Sequence, residues 1–281
     1  MSATEVLRTH SRTFGWATTF FGPEDRARVA RLYAFCRVTD DIVDRSDSAD
    51  RASQRLGAWR ALSRRAYAGE ETGVDLVDAA MSDARVAEAP FRCVEDLLEG
   101  MEQDLGKVRL PDLDALWLYG YRVAGVVGEW MLHLFGLSGD AVRLARAHDM
   151  GRALQLTNIL RDVGEDLRRD RIYLPSDLLE AHDVDEALLR TLQKSEDPVP
   201  DRYRALLERL MALADQRYRL ASEALAELPE SFARPVRIAA AMYRGIHDEI
   251  RRNEYDNLRR RASTSGLAKL RLASGVWRRG R

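Results

Sequence analysis

Gln155-Leu156-Thr157-Asn158-Ile159-Leu160-Arg161-Asp162-Val163-Gly164-Glu165-Asp166 sets a polar stripe into an otherwise apolar run. Gln155, Asn158, Asp162 and Asp166 are spaced three, four and four, which on a helix puts them on one face, one turn apart. Leu154, Leu156, Ile159, Leu160, Val163 and Leu167 make up the rest, so this helix belongs in an interior. Carboxylates stacked one turn apart repel each other, and buried ones need partners. Helical bundles build metal and ligand sites from such stripes. The stretch therefore points to an all-α protein with a cation to hold.

A second acidic set lies about a hundred residues earlier, at Asp40-Asp41-Ile42-Val43-Asp44. One reading is a solvated helix face with Arg37 and Arg45 as local partners. Its flanks Leu32, Tyr33, Phe35, Cys36, Ile42 and Val43 are apolar, however, and aspartate opposes helix interiors. Oxygen donors without nearby histidine or cysteine suit magnesium rather than zinc. Magnesium keeps its waters and is held by one or two carboxylates plus substrate phosphates. Two such sets predict a diphosphate clamped between helices through several magnesium ions. Arg37, Arg161 and Arg171 are either bidentate phosphate contacts or surface arginines.

Helical periodicity runs almost the whole length, and no long stretch alternates as a strand. Gly22-Pro23 opens a helix from about Glu24 through the first acidic set, and Pro90 starts another carrying Phe91, Val94, Leu97, Leu98 and Met101. Pro111-Asp112 starts one that reaches to roughly Phe135. Ser138-Gly139-Asp140 caps the helix with the polar stripe, and Arg171 to Pro175 ends it. Pro198 and Pro200 precede a further helix, and Pro229-Glu230 separates it from the next. Short connections favour one all-α domain over residues 1–281.

Hydrophobic residues make up 46% and charged residues 32% of the 281, the balance of a soluble globular chain. The net charge of −1 argues neither for nucleic acid nor for an acidic partner, and no nucleic-acid partner is expected. The two cysteines, Cys36 and Cys93, lie in apolar helical segments and read as reduced buried thiols. Neither a targeting signal nor a membrane span is visible; the longest apolar run, Val123 to Leu137, is broken by Glu129 and His133. A cytoplasmic protein is expected. Beyond Asp256 no acidic residue occurs, and the tail over about 259–281 mixes Arg259, Arg260, Arg261, Lys269, Arg271, Arg278, Arg279 and Arg281 with Leu267, Leu270, Leu272, Val276 and Trp277. It reads either as a peripheral contact with an anionic membrane or as a last helix packed on the bundle. Oligomeric state is not legible.

These motifs resemble the squalene and phytoene synthases. The long stripe, continued by Arg171-Ile-Tyr-Leu-Pro175, is similar to that family's second signature. His10-Ser11-Arg12-Thr13-Phe14, Leu32 through Asp44, Glu99-Gly-Met-Glu-Gln-Asp-Leu105, Tyr121 through Gly128 and Asn253-Glu-Tyr-Asp-Asn257 follow the family's order. The resemblance implies a single-domain isoprenoid-synthase bundle with a central cavity, joining two prenyl diphosphates head to head through a cyclopropylcarbinyl diphosphate. It implies one magnesium set from Asp40, Asp41 and Asp44 and another from Asn158, Asp162 and Asp166. Diphosphate binding falls to His10, Ser11, Arg37, Gln155, Asn158 and Arg161. Tyr121, Tyr173 and Tyr243 stand where the family has tyrosines beside the leaving group; the alternative for each is a core tyrosine. Phe14, Phe20, Phe21, Val127 and Leu156 are candidate cavity walls, and Gly125 and Gly128 leave room for a prenyl chain or for close helix packing.

The resemblance leaves the product between phytoene, from two geranylgeranyl diphosphates, and a C30 product, from farnesyl diphosphate. The Asp-Asp-Ile-Val-Asp motif and Glu129 lean toward C30; Arg122 and Asn253 through Asn257 lean toward phytoene, the preferred reading. NADPH enters only if the product is squalene. A terpene cyclase, a chain-elongating synthase and a helical interaction protein without catalysis remain as alternatives.

Overall fold

The structure is a computed structural model and describes residues 18–279, apart from the side chains of Leu267 and of residues 277–279. A short 3-10 turn, Thr18–Phe20, leads into α1, Pro23–Asp44, with Pro23 in its first turn and Glu24 and Asp25 favouring its positive end. α2, Ala49–Tyr67, is capped by Ser48, and α3, Asp75–Val86, follows. The sequence reading named neither helix. α4, Arg92–Gln103, buries Val94, Leu97, Leu98 and Met101 of the expected stripe, together with Cys93, while Phe91 precedes the helix and is half-buried. A two-residue strand β1, Val108–Arg109, comes next.

The single helix expected from Pro111 to Phe135 is interrupted. It consists of α5, Leu113–Gly120, a π-helical turn at Tyr121–Gly125, and α6, Val126–Leu134. Asp112 caps it through the Ala115 amide at 2.8 Å. The interruption lies where Gly151 of α7 closes on the backbone: a β-carbon there would meet Ala124 and the Gly125 amide at 2.5 Å. α7, Ala141–Arg168, carries the polar stripe and starts at its predicted cap, Asp140, which accepts from the Arg143 amide at 2.8 Å. β2, Arg171–Ile172, pairs in parallel with β1, Val108 opposite Arg171. This small bridge is the one departure among the described residues from an all-helical chain. α8, Ser176–Ala181, α9, Glu186–Lys194, α10, Asp201–Leu225, α11, Glu230–Arg252, and α12, Gly266–Arg279, complete the bundle.

α7 is the axis, packed against α6, α10, α11 and the π turn. Leu156, Leu160 and Leu167 are almost fully buried, as the interior reading of the stripe requires. α12 docks on α11: Ala273 is buried, and Val276 packs against Ile238 and Met242. The tail reading that the structure supports is therefore a packed final helix, with Leu270 exposed on its outer side. No described helix is long and apolar enough to cross a membrane. Cys36 and Cys93 are free thiols.

Candidate active site

An apolar cavity of about 260 Å³ lies between α1, the π turn, α6, α7, α10 and α11. Along α7 its wall is Arg143, Arg146, Ala147, Met150, Gly151, Leu154, Gln155 and Asn158. That is roughly 22 Å of helix at 1.5 Å per residue. Both acidic sets continue one end of it. Cys36 of α1 lines the wall, and Asp40 stands one turn beyond; Asn158 lines it, and Asp162 stands one turn beyond.

The two sets are tied together by arginines just past α7. Asp44 accepts from Arg169 at 2.7 Å and from Arg171 at 3.1 Å. Arg37 holds Asp40 at 2.7 Å and also Asp41, which Arg45 reaches at 3.2 Å. Arg161 Nε lies 2.8 Å from Asp162, and Arg261 holds the same carboxylate from the far side at 2.6 and 3.2 Å. Between the sets sits buried Asp104 at the end of α4, taking the Tyr173 hydroxyl at 2.6 Å and the Tyr119 hydroxyl at 3.0 Å.

The carboxylates divide into two electrostatic kinds. Burial pushes up those of Asp44 and Asp162, but hydrogen bonds from Arg169 and Arg171, and from Arg161 and Arg261, hold both below the usual range. Asp40 is pushed up to about 6 by burial and by the charges of Asp44, Asp104 and Asp41. Asp166 is pushed up to about 7 by burial and by Asp162. No arginine reaches Asp166 within ion-pair distance among the described residues. Asn158 adds a buried amide oxygen with no hydrogen-bond partner. Under-compensated carboxylates at the same end of the cavity as an unpaired amide oxygen, all hard oxygen donors, fit a divalent cation such as magnesium. Among the described residues no three acidic or histidine side chains gather closely enough to hold an ion by themselves. Of the two expected magnesium sets, Asp40, Asp41, Asp44 and Asp162 are engaged with arginines, whereas among the described residues Asp166 has no arginine partner and Asn158 bonds only Gln155.

The other expected residues divide similarly. Gln155, Asn158 and Tyr243 line the cavity, Gln155 accepting from Asn158 at 3.3 Å. Tyr173 stands on Asp104, beside the acidic sets. Tyr121 does not belong there: its hydroxyl donates to Asp96 at 2.6 Å and its ring packs edge-on against His148, outside the cavity wall. Glu129 is likewise buried as a clamp between Arg92 and His148, away from the wall. Phe21 and Val127 line the cavity, whereas Leu156 is core and Phe20 packs toward α12. Gly128 lines the wall and also lets Ala147 approach, since a β-carbon would meet its carbonyl at 2.9 Å. Gly125 serves close packing against Tyr121 and His148. His10, Ser11 and Phe14 lie outside the described residues.

The sequence reading placed Asp104 in a family motif without giving it a role, and missed Tyr119, Arg169 and the role of Arg261. Asp104 carried a signal, a lone aspartate closing an apolar helix face. Arg261 meets Asp162 across 99 positions, which no local pattern announces.

A helical bundle with two arginine-bridged aspartate stretches at one end of an apolar cavity defines the class of isoprenoid synthases. The sequence matches the squalene/phytoene synthase family over residues 7–268. It is 42% identical over 257 residues to a phytoene synthase of Thermus thermophilus, covering 92% of this chain and 85% of that one. It is 40% identical over 276 residues to the chloroplastic phytoene synthase 3 of Zea mays, covering 95% of this chain but 62% of the maize protein. A dehydrosqualene synthase crystallised with a ligand superposes with a TM-score of 0.85 at 27% identity, over 99% of this chain and 94% of that one. The chain belongs to the squalene/phytoene synthase family.

Proposed function

We propose that this chain condenses two prenyl diphosphates head to head through a cyclopropylcarbinyl diphosphate, with geranylgeranyl diphosphate as substrate and phytoene as product. The observation that carries this reading is the arginine joint at Asp44, which ties both aspartate stretches to one end of the apolar cavity. Likeness to the bacterial and maize phytoene synthases supports the C20 substrate.

Asp40, Asp41 and Asp44 on one side, and Asn158, Asp162 and Asp166 on the other, would hold magnesium together with the diphosphates. When bound, magnesium neutralises the diphosphate and makes it a competent leaving group. The chain's own residues do the rest. Arg37, Arg161, Arg169, Arg171 and Arg261 present guanidinium groups that exchange a carboxylate for a phosphate oxygen. Gln155 and Asn158 orient the head of the substrate at the cavity mouth. The apolar wall excludes water from the allylic cation left behind, and Tyr243, half-buried in that wall, offers a ring face to positive charge. Tyr173 and Asp104 hold the turn that carries Arg171.

A C30 synthase using farnesyl diphosphate, yielding dehydrosqualene, presqualene diphosphate or, with NADPH, squalene, is the second reading; the superposition on a dehydrosqualene synthase favours it. Peripheral contact with an anionic membrane is proposed for the outer face of α12, where Leu270 stands exposed between Lys269 and Arg271. Incubation with each prenyl diphosphate and magnesium, with and without NADPH, followed by mass analysis, tests the assignment. A C40 hydrocarbon from geranylgeranyl diphosphate is expected; no C30 or C40 product from either substrate would defeat it.

A further inference from the structure

One buried titratable group has no part in the site described above. His247 of α11 is 1% exposed and lies one turn beyond the cavity-lining Tyr243. Its Nε2 stands 3.0 Å from the hydroxyl of Thr157, the fully buried neighbour of Asn158 on α7. That hydroxyl also meets the Ala153 carbonyl at 2.9 Å and the Tyr218 hydroxyl of α10 at 3.0 Å. The other ring nitrogen, Nδ1, is buried without a hydrogen-bond partner and faces Asp215 of α10 at 3.7 Å. Arg244 fixes Asp215 from outside at 2.8 and 3.1 Å. Burial pushes the Asp215 carboxyl up, but the nearby His247 ring and the hydrogen-bonded Arg244 guanidinium hold it well below the usual range.

The Thr157 hydroxyl has one proton, shared between the Ala153 carbonyl and Nε2, which then accepts; the ring's own proton falls on Nδ1, turned toward the Asp215 carboxylate though beyond hydrogen-bond distance. We propose that Asp215, His247 and Thr157 form a buried relay, its imidazole protonated at Nδ1, that fixes the rotation of α7 and so aims Gln155, Asn158 and Asp162. His247 is thus a positioning residue. Apolar packing around a helix resists a small roll weakly, whereas hydrogen bonds are directional. A side-chain tip lies roughly 5–6 Å from the helix axis, so a roll of about 10° shifts it by about 1 Å. Errors of that size matter to a reacting constellation. Thr157 is well placed as the pin, being adjacent to Asn158 but pointing away from the cavity wall.

The relay rests on the proposed function only for its catalytic consequence, so the test does not need turnover. In the whole chain labelled with ¹⁵N-histidine, His247, identified by the signal lost in His247→Gln, is expected to show a protonated Nδ1. An unprotonated Nδ1 overturns the relay. Calorimetric titration with magnesium and inorganic diphosphate then compares Thr157→Ser, which keeps the hydroxyl, with the near-isosteric Thr157→Val. The valine variant is expected to bind about 3- to 10-fold more weakly and the serine variant within about 2-fold of the parent. Equal binding by folded parent and valine variant overturns the proposal. Should the valine variant not fold, the nitrogen spectrum decides alone. A chain that binds magnesium diphosphate with this pattern but makes no hydrocarbon would sink the proposed reaction and leave the relay standing.

Discussion

Among the described residues, Gly164 of α7 is the most tightly covered glycine, and replacing it gives a signed test of how the site is closed. A β-carbon at Gly164 would drive into the backbone carbonyl of Leu258, lying 2.6 Å from its carbon and 3.0 Å from its Cα. Backbone cannot swing aside as a side-chain tip does. The same contact is hydrogen-bonded: the Gly164 amide donates to the Asn257 carbonyl at 3.1 Å, and the Asn257 amide group donates to the Leu160 carbonyl at 2.7 Å. Ordinarily Gly→Ala inside a helix stabilises by about 1 kcal/mol. Here overpacking against backbone outweighs that gain, for a net loss of about 3 kcal/mol. For a chain of this size that lowers Tm by roughly 6–10 °C. Differential scanning calorimetry of Gly164→Ala measures it, with Gly57→Ala as the control. Gly57 is an exposed glycine of α2 with nothing within 4 Å of its added carbon, so its Tm is expected to rise by about 2–4 °C. Because Arg261 follows the displaced segment and holds Asp162, Gly164→Ala should also lose activity beyond its stability loss. An unchanged or raised Tm for Gly164→Ala would refute the idea that residues 257–261 are clamped onto α7.

Three further predictions concern the site and the tail. Asp162→Asn is expected to abolish hydrocarbon formation while changing Tm by only about 2–4 °C, since the amide oxygen still accepts from Arg161 and Arg261 and only the charge of the two ion pairs is lost; a collapse in Tm would mark the residue as structural. Asp40 and Asp166, raised to about 6 and about 7, hold protons in the fold that the unfolded chain has released, so stability falls as pH rises from about 4 to about 7. Thermal scans in a chelator across that window should show the fall, and magnesium with diphosphate should flatten it by neutralising the same carboxylates. Truncation before Gly266 uncovers Ile238, Ala239 and Met242 on α11 and should lower Tm by several degrees, about 2–4 °C per kcal/mol lost; an unchanged Tm would mean that α12 is undocked in solution.

Much of the bundle was legible because local chemistry and tertiary role agree. Asp140 and Asp112 cap the helices they were expected to cap, and the stripe from Gln155 faces the interior. α2 was overlooked although Ala52, Leu56, Trp59, Ser63 and Ala66 recur at helical spacing; arginines between them masked the pattern. The π turn was illegible for a physical reason, since it answers to Gly151 closing on Ala124, a contact between helices. Its altered phase also explains Tyr121. Val123 and Ala124 face the cavity while Tyr121 turns to Asp96, so the expectation for that tyrosine failed with the register. Arg261 and Asp104 act on partners far away in the chain, and a composition-level reading of the basic tail assigned Arg261 to a surface.

The exit from α11 has a consequence for how the protein is made. Glu254 and Tyr255 both take left-handed conformations, φ 55° and 64°, and turn the chain back so that Asn257 and Leu258 land on Gly164. Such residues cost about 1 kcal/mol or more each and persist only where their surroundings enforce them. α7 leaves the ribosome long before residues 257–261, so for about a hundred residues of synthesis its acidic stripe has neither Arg261 nor the Asn257 clasp. The site is therefore among the last features to be completed during synthesis, and a chain released early would carry an unfinished second half.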